Sequence, residues 1–317
     1  MADSQYILEV NNLCQHFSSG RGKKKLTVKA VDDVTFGVRP AETFGLVGES
    51  GCGKTTTGRT IIRLYDPTGG EVLFNGRDIA GKMNNDLRKY LTDNIAMIFQ
   101  DPIESLNPKM TIEEIIGEGL TVRGMKDKME IRKLVVEMLR KVGLVEEHAT
   151  RYPHEFSGGQ RQRIGIARAI IVKPKLIIAD EPVSALDVSV QAQVINLMND
   201  LKEEMGLTIL FIAHNLSVVK YFSDRIGVMY FGHLVEVANG EDLYRNPLHP
   251  YTRALLSAIP EPNPITERQR VRVDYVPDRD HDYSNEHPTM VEVEPEHFVY
   301  CSPSELAKYR EQIAANA

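Results

Sequence analysis

Gly48-Glu49-Ser50-Gly51-Cys52-Gly53-Lys54-Thr55 has the spacing G-x-x-x-x-G-K-[ST]. Glycines so placed let the backbone curl until successive N–H groups face one anion. Lys54 then reaches the outer phosphates of a nucleoside triphosphate, and the Thr55 hydroxyl is placed to hold Mg²⁺. These eight residues, with Thr56 after them, are the expected nucleotide contacts. The apolar run Thr43–Val47 predicts a buried strand, and residues 55–65 predict a helix with Ile61, Ile62 and Leu64 as its apolar residues. Strand, glycine loop and helix in succession give the pattern its meaning, and the helix N-terminus adds partial positive charge. A glycine-rich turn before an ordinary helix is the bland alternative.

Three more apolar runs end in polar residues. Ile95–Phe99 ends at Gln100, Leu176–Ala179 at Asp180-Glu181, and Thr208–Ala213 at His214. In open parallel α/β sheets the carboxyl edge of the strands is where ligands bind. Asp180 is suited to hold Mg²⁺ directly or through water. Glu181, one residue on, is suited to polarise an attacking water. Gln100 can sense both metal and water, and His214 can contact the γ-phosphate. Taken singly, Gln100 can simply end a strand and His214 can be an ordinary structural histidine. Their recurrence behind a phosphate-cradling loop favours chemistry.

The elements that position these residues follow from periodicity. Tyr6–Val10 predicts a first strand. Alternating apolar residues in 27–38 (Val28, Ala30, Val34, Phe36, Val38) predict antiparallel strands. Glu71–Phe74 predicts a strand closed by the hairpin turn Asn75-Gly76. From Asp101 to about Arg151 the chain turns to loops and helices, with Ile131, Leu134, Val135, Met138, Leu139 and Val142 on one helical face. A helix opened by Phe156–Gln160 and running through Ile170, and another marked by Val190, Val194, Leu197, Met198, Leu201 and Met205, then alternate with strands. That alternation predicts a parallel sheet core. Past Pro260, the prolines and the charged run Glu267–Asp282 predict an extended surface tail.

The whole chain sets bounds. It has 317 residues and net charge −6, so no global charge favours nucleic acid or an anionic membrane. The one basic run, Arg21-Gly22-Lys23-Lys24-Lys25, suits a solvated loop tip. Cys14, Cys52 and Cys301 are too few and too scattered for a disulfide framework or a cysteine-rich metal site. No apolar stretch reaches the roughly 18 residues of a membrane span, and no signal-peptide core opens the chain.

These motifs together resemble the ATP-binding-cassette (ABC) ATPases. Phe156-Ser157-Gly158-Gly159-Gln160 resembles that family's signature motif, with Phe in place of the usual Leu, and Ser184-Ala185-Leu186-Asp187 resembles its D-loop. The resemblance implies an α/β P-loop NTPase fold: a RecA-like parallel sheet core with an antiparallel β subdomain, a helical subdomain at about 101–165, and a C-terminal extension. It implies ATP and Mg²⁺ as cofactors. It implies Glu181, His214 and Gln100 as catalytic residues, and Thr55, Gln100 and Asp180 at the metal. Ser157, Gly158, Gly159, Gln160 and Asp187 are implied to serve a nucleotide shared with a second cassette, and Phe17 to stack on adenine. The family's usual His-Asp-Leu is here His214-Asn215-Leu216, which puts the holding of that loop in question. Cys52 lies inside the loop, so inhibition by a bulky thiol reagent, with protection by ATP, is expected.

A narrower resemblance, over about residues 5–260, is to the oligopeptide/dipeptide permease ATPases. It rests on Gly48–Lys54, Ile98-Phe99-Gln100-Asp101-Pro102, Ser105–Pro108, Pro182–Ser189, Asn246–Thr252 and Leu255–Pro260. Gly58-Arg59 and Arg63–Gly70 are more similar to the F-type subunit than to the D-type. This implies an ATPase domain at 1–262 and a permease-type extension at 263–317. It also implies ATP-driven peptide uptake, a D-type ATPase subunit as heterodimer partner, two membrane-spanning permease subunits, an extracellular peptide-binding protein, no nucleic acid, and a peripheral place on the cytoplasmic face of the cell membrane. Nickel, glutathione and antimicrobial-peptide systems share these motifs and stay open as cargo. A soluble, non-transport ABC protein is the other class. Many relatives carry a cysteine-rich tail; Cys301 alone cannot supply four thiolates, so no iron–sulfur cluster is expected.

Overall fold

The computed structural model describes residues 5–20, 26–260 and 271–316. The basic run at 21–25 and the expected domain boundary near 262 lie outside them. In chain order the strands and helices are β1 (Leu8–Ser19), β2 (Leu26–Val38), β3 (Thr43–Val47), α1 (Lys54–Ile61), β4 (Gly69–Phe74), β5 (Arg77–Asp78), α2 (Asn85–Asn94), β6 (Ile95–Ile98), α3 (Pro102–Ser105), α4 (Ile112–Val122), α5 (Lys128–Lys141), α6 (Gly158–Ile170), β7 (Leu176–Asp180), α7 (Val188–Met205), β8 (Thr208–Ala213), α8 (Leu216–Phe222), β9 (Arg225–Tyr230), β10 (His233–Asn239), α9 (Gly240–Arg245), α10 (Pro250–Ser257), α11 (Pro277–Asp280), β11 (Thr289–Glu294), β12 (His297–Cys301) and α12 (Pro303–Asn316). They fall into two compact units: Met1–Gln5, Val38–Glu42 and Gly81–Ile212 in one, and Tyr6–Gly37, Thr43–Ala80 and Ala213–Ala317 in the other.

The unit that carries the glycine loop holds an antiparallel sheet in the order β2-β1-β4-β5. Alternation along β1 buries Leu8 and Val10 and, past a register shift between Asn11 and Cys14, Leu13 and Gln15. Asn75 and Gly76 both take positive φ, 50° and 70°, and join Phe74 to Arg77 as a two-residue hairpin. In the same unit, β3 is buried along its whole length and runs parallel to β9. From β9 the pairing turns antiparallel through β10 and β12 to β11. Between His214 and Pro260 the pattern of the chain assigns no element, because Gly227 and the buried Glu236 interrupt the apolar runs there; the structure places β9, β10 and three helices in this stretch.

The other unit is built on three parallel strands, with Ile95 to Ile98 paired to Leu176 to Ala179 and Leu176 to Asp180 paired to Thr208 to Ile212. Its helices are well started. Thr111 and Glu114 form a capping box at α4, and Asp127 accepts from the amides of Met129 and Glu130 at α5, each cap contributing about 1 kcal/mol. The helical face expected around residue 135 is largely the buried one: Val135, Met138, Leu139 and Val142 are covered, against the buried Ile112, Ile115 and Ile116 of α4.

The tail departs from expectation. Within the run read as an extended surface stretch, Pro277–Asp280 forms a helical turn and His281 is buried. Beyond it, β12 pairs with β10, and Val299, Cys301 and Tyr309 pack with Leu248. Charge density misled here because the apolar residues that fold the tail lie after residue 288 and bury against partners far away in sequence.

Candidate nucleotide-binding site

The glycine loop joins β3 to α1. Gly48 and Gly53 take φ of 151° and 112°, and a Cβ on either would come within 2.2 Å of a carbonyl oxygen, that of Met229 or of Ala30. Both the backbone conformation and the close approach therefore require glycine. The Lys54 side chain folds back over the loop, its Nζ donating to the carbonyls of Gly48 and Glu49 at 2.8 Å each, with the Cys52 sulfur at 3.6 Å. Lys54 is 3% exposed, and these partners are all neutral. Among the described residues no ion pair of Lys54 is seen, and a buried ammonium so placed favours an anion. The start of α1 agrees: Gly53 supplies no side-chain cap, and the first turn holds no acidic residue. By contrast α2, α5 and α8 are capped by Asn84, Asp127 and Asn215. The donor set thus fits a phosphate chain.

The loop is braced from behind. Gly232 N–H donates to the Cys52 carbonyl at 2.9 Å. The Glu49 amide donates to the Tyr251 hydroxyl at 3.0 Å, and Tyr251 is 2% exposed. Burial pushes the Tyr251 phenol well above its ordinary pKa, so it stays neutral. Tyr251 follows His249, the cap of α10, whose Nδ1 accepts from the Tyr251 amide at 3.1 Å. The fully buried Glu236 carboxylate accepts from the amides of Leu248 and His249 and pairs with His297 Nε2 at 2.8 Å. Neither Glu236 nor Tyr251 is among the residues expected from sequence. The signal was present in Asn246–Thr252, but its mechanical role is visible only as this chain of hydrogen bonds.

Cys52 corrects an expectation. Its side chain is buried, and burial holds its thiol above the usual range against the pull of Lys54. It is poorly placed to meet a bulky reagent. Phe17 is half-exposed and stands edge-on to Tyr65, with ring centroids 5.3 Å apart, which leaves ring surface for a flat base. His214 is exposed just after β8, and Asn215 caps α8 by accepting from the Ser217 amide at 2.9 Å. The amide oxygen thus makes the capping bond that a carboxylate would make, without the charge that favours a helix start.

In the parallel-strand unit, Asp180 ends β7 fully buried. Glu181 leaves the strand in the left-handed region, φ 45°. That conformation costs about 1–3 kcal/mol in a non-glycine residue and concentrates at functional sites. It is held by the Glu181 amide donating to Ile212 at 2.9 Å and by Ser184 Oγ donating to the Glu181 carbonyl at 3.1 Å. Gln100 Nε2 donates to Glu181 Oε2 at 3.2 Å, so the chain ends at Gln100 and Glu181 converge.

Ser157 and Gln160 form a reciprocal capping box at the start of α6. A Cβ on Gly159 would meet Val190 Cγ1 at 2.5 Å, so this end of α6 lies directly against the start of α7. Asp187, one residue before α7, is exposed and makes no capping hydrogen bond. Phe156, which replaces the usual leucine, is buried and stands edge-on to His148 at 5.0 Å. The far end of α6 reaches the Gln100 segment: Arg168 lies over the Phe99 ring at 5.8 Å and donates to the Ser105 carbonyl at 2.5 Å. Arg168, like Glu236 and Tyr251, is a residue that sequence reasoning passed over.

Comparison with known proteins settles the family. Residues 31–184 match the family described as ABC transporter, and residues 235–283 match the C-terminal region of the oligopeptide/dipeptide transporter family. The chain is 58% identical to the oligopeptide transport ATP-binding protein OppF of Bacillus subtilis, over 96% of this chain and 99% of that one. The chain belongs to the oligopeptide/dipeptide family of ABC transporter ATP-binding proteins. It is an ABC-type ATPase. It is also 52% identical to the dipeptide transport ATP-binding protein DppF of Lactococcus lactis, over 98% of each chain. Among solved structures, the cassette MJ0796 bound to ADP and Pi as a dimer is 30% identical with a TM-score of 0.66, over 73% of this chain and 98% of that one. The structure cbiO1 from Clostridium perfringens is 26% identical with a TM-score of 0.67, over 77% of this chain and 92% of that one. Among the described residues, no helix of this ABC ATPase is long and apolar enough to cross a membrane.

Proposed function

We propose that this ATPase energises import of oligopeptides or dipeptides through two separate membrane-spanning permease subunits, from a peripheral place on the cytoplasmic face of the cell membrane. It pairs with a second, D-type ATPase, and an extracellular binding protein delivers the peptide. The observation that carries the peptide assignment is the match of residues 235–283 to the oligopeptide/dipeptide region. That region holds Glu236, His249 and Tyr251, which brace the glycine loop. The named relatives, oligopeptide and dipeptide transport proteins, support the same reading. Within it, residues 1–262 are the ATPase domain, with helices at about 101–165 facing the permease, and 263–317 are the permease-type extension.

The residues divide the work. The amides of Gly48–Lys54, the Lys54 ammonium and Thr55 and Thr56 bind the triphosphate, and Phe17 stacks on adenine. Thr55, Gln100 and Asp180 offer the hard oxygen donors that suit Mg²⁺, which when bound neutralises charge on the phosphate oxygens. Glu181 orients and polarises the attacking water, Gln100 holds Glu181, and His214 contacts the γ-phosphate. Ser157, Gly158, Gly159, Gln160 and Asp187 serve the nucleotide held by the partner ATPase. Co-purification of the tagged chain from native membranes tests the assembly. Two spanning subunits, a second ATPase and a binding protein for peptides are expected; recovery with a nickel or glutathione permease set would refute the peptide assignment.

A further inference from the structure

We infer that Cys14, His16 and Asp32, with His233 beside them, form a binding site for a thiophilic divalent cation of the zinc class. Cys14 and His16 are two residues apart on β1, so their side chains leave the same face of the strand. Asp32 approaches from β2 and His233 from the start of β10. One ligand atom from each of Cys14, His16 and Asp32 lies within 4.8 Å of the others. His16 Nε2 stands 2.9 Å and Cys14 Sγ 3.9 Å from Asp32 Oδ1, and His233 Nε2 stands 3.8 Å from Asp32 Oδ2. The ligands of a tetrahedral zinc, with bonds of about 2.0–2.3 Å, are separated by roughly 3.2–3.8 Å. Small rotations therefore bring thiolate, imidazole and carboxylate onto one ion, with the second imidazole in reach as a fourth donor. The mixture of sulfur and nitrogen ligands selects against Mg²⁺ and Ca²⁺, which take oxygen.

The scaffold aims these atoms. The pairing of β1 with β4 shifts register between Asn11 and Cys14, a bulge that re-aims the side chain. Asn12 and Asp33 both take left-handed φ, 51° and 58°, and are bolted to each other by the Asn12 side-chain Nδ2 donating to Asp33 Oδ1 at 2.7 Å. The Asp33 backbone N–H donates to Cys14 Sγ at 3.4 Å, which fixes where the sulfur sits. Among the described residues Lys29 competes for this place, its ammonium 2.9 Å from Asp32 Oδ2. The Lys29 side chain is 62% exposed, so a cation displaces it at little cost.

The test uses the untagged full chain, free of nucleotide and stripped of metal, titrated with Co²⁺. A near-ultraviolet thiolate-to-cobalt absorption band is expected, with the strong visible bands of tetrahedral cobalt, both removed by Zn²⁺. Cys14→Ser should lose the near-ultraviolet band, while Cys52→Ser and Cys301→Ser keep it. His16→Ala or Asp32→Asn should weaken binding by at least about tenfold. Lys29→Ala, an exposed change that leaves the fold intact, should tighten it. A wild-type chain without the band, a band that survives Cys14→Ser, or weaker binding in Lys29→Ala would each overturn the site.

Discussion

Glu181 and Cys52 illustrate what burial and backbone do to single residues. Glu181 is set in a strained conformation at the end of a buried strand and touched by Gln100. Glu181→Gln keeps the shape and the hydrogen bond but removes the carboxylate proposed to act on the attacking water. ATPase turnover should fall by at least about 10²-fold while ATP still binds, measured by phosphate release beside nucleotide titration; undiminished turnover would remove Glu181 from the chemistry. Cys52 presents the opposite case, a residue whose position in the motif suggests reactivity and whose surroundings deny it. Burial and a raised pKa leave little exposed thiolate at neutral pH. N-ethylmaleimide should therefore inactivate slowly, at a rate limited by opening of the loop. Rapid loss of activity that is absent in Cys52→Ala would show the thiol to be exposed.

Helix ends set the contacts at the next scale. α6 begins at the signature residues and ends near Arg168, which grips Phe99 and Ser105 on either side of Gln100. A displacement at one end of a rigid helix is thereby passed to the other. Gly159→Ala would drive a Cβ into Val190 and push α6 from α7. Steady-state ATPase activity should drop at least tenfold, by roughly 1.4 kcal/mol of barrier, with ATP affinity kept; Val190→Ala in the same chain should restore part of it, and failure of that rescue would point away from this contact. At α10 the cap is His249, whose pKa burial lowers to about 3, with His281 beside it adding to the effect. In the unfolded chain its value is about 6.5. The folded state therefore binds fewer protons than the unfolded state between these values. The stability this group contributes is whole above about pH 6.5 and is lost as pH falls toward 3. His249→Asn retains a capping acceptor without the titration. Its melting temperature should fall less steeply than wild type across that window, and parallel curves would contradict the assignment.

The tail is part of the fold of the unit that holds the glycine loop. β12 extends the sheet beyond β10, and His297 Nε2 is the hydrogen-bond partner of the buried Glu236 carboxylate at 2.8 Å. A chain ending before β11 would leave Glu236 buried without that imidazole and uncover Leu248. Leaving a buried polar group without its hydrogen-bond partner costs about 1–3 kcal/mol, so this truncation should express poorly or melt at least several degrees lower, as thermal unfolding would measure; an unchanged melting temperature would make the tail an appendage. The sequence alone determined much of this molecule. The glycine loop, the strand-end residues Gln100, Asp180, Glu181 and His214, and the signature at Ser157 are local patterns, because phosphate binding and strand termination need particular residues at fixed spacing. Only the tertiary structure decided what holds those patterns in place. Tyr251 against Glu49, Arg168 against Phe99, Gly159 against Val190 and the meeting of Cys14 with Asp32 join residues far apart in the chain. No periodicity encodes such contacts; they exist once strands have paired, helices have packed and the burial of apolar surface has fixed which side chains face one another.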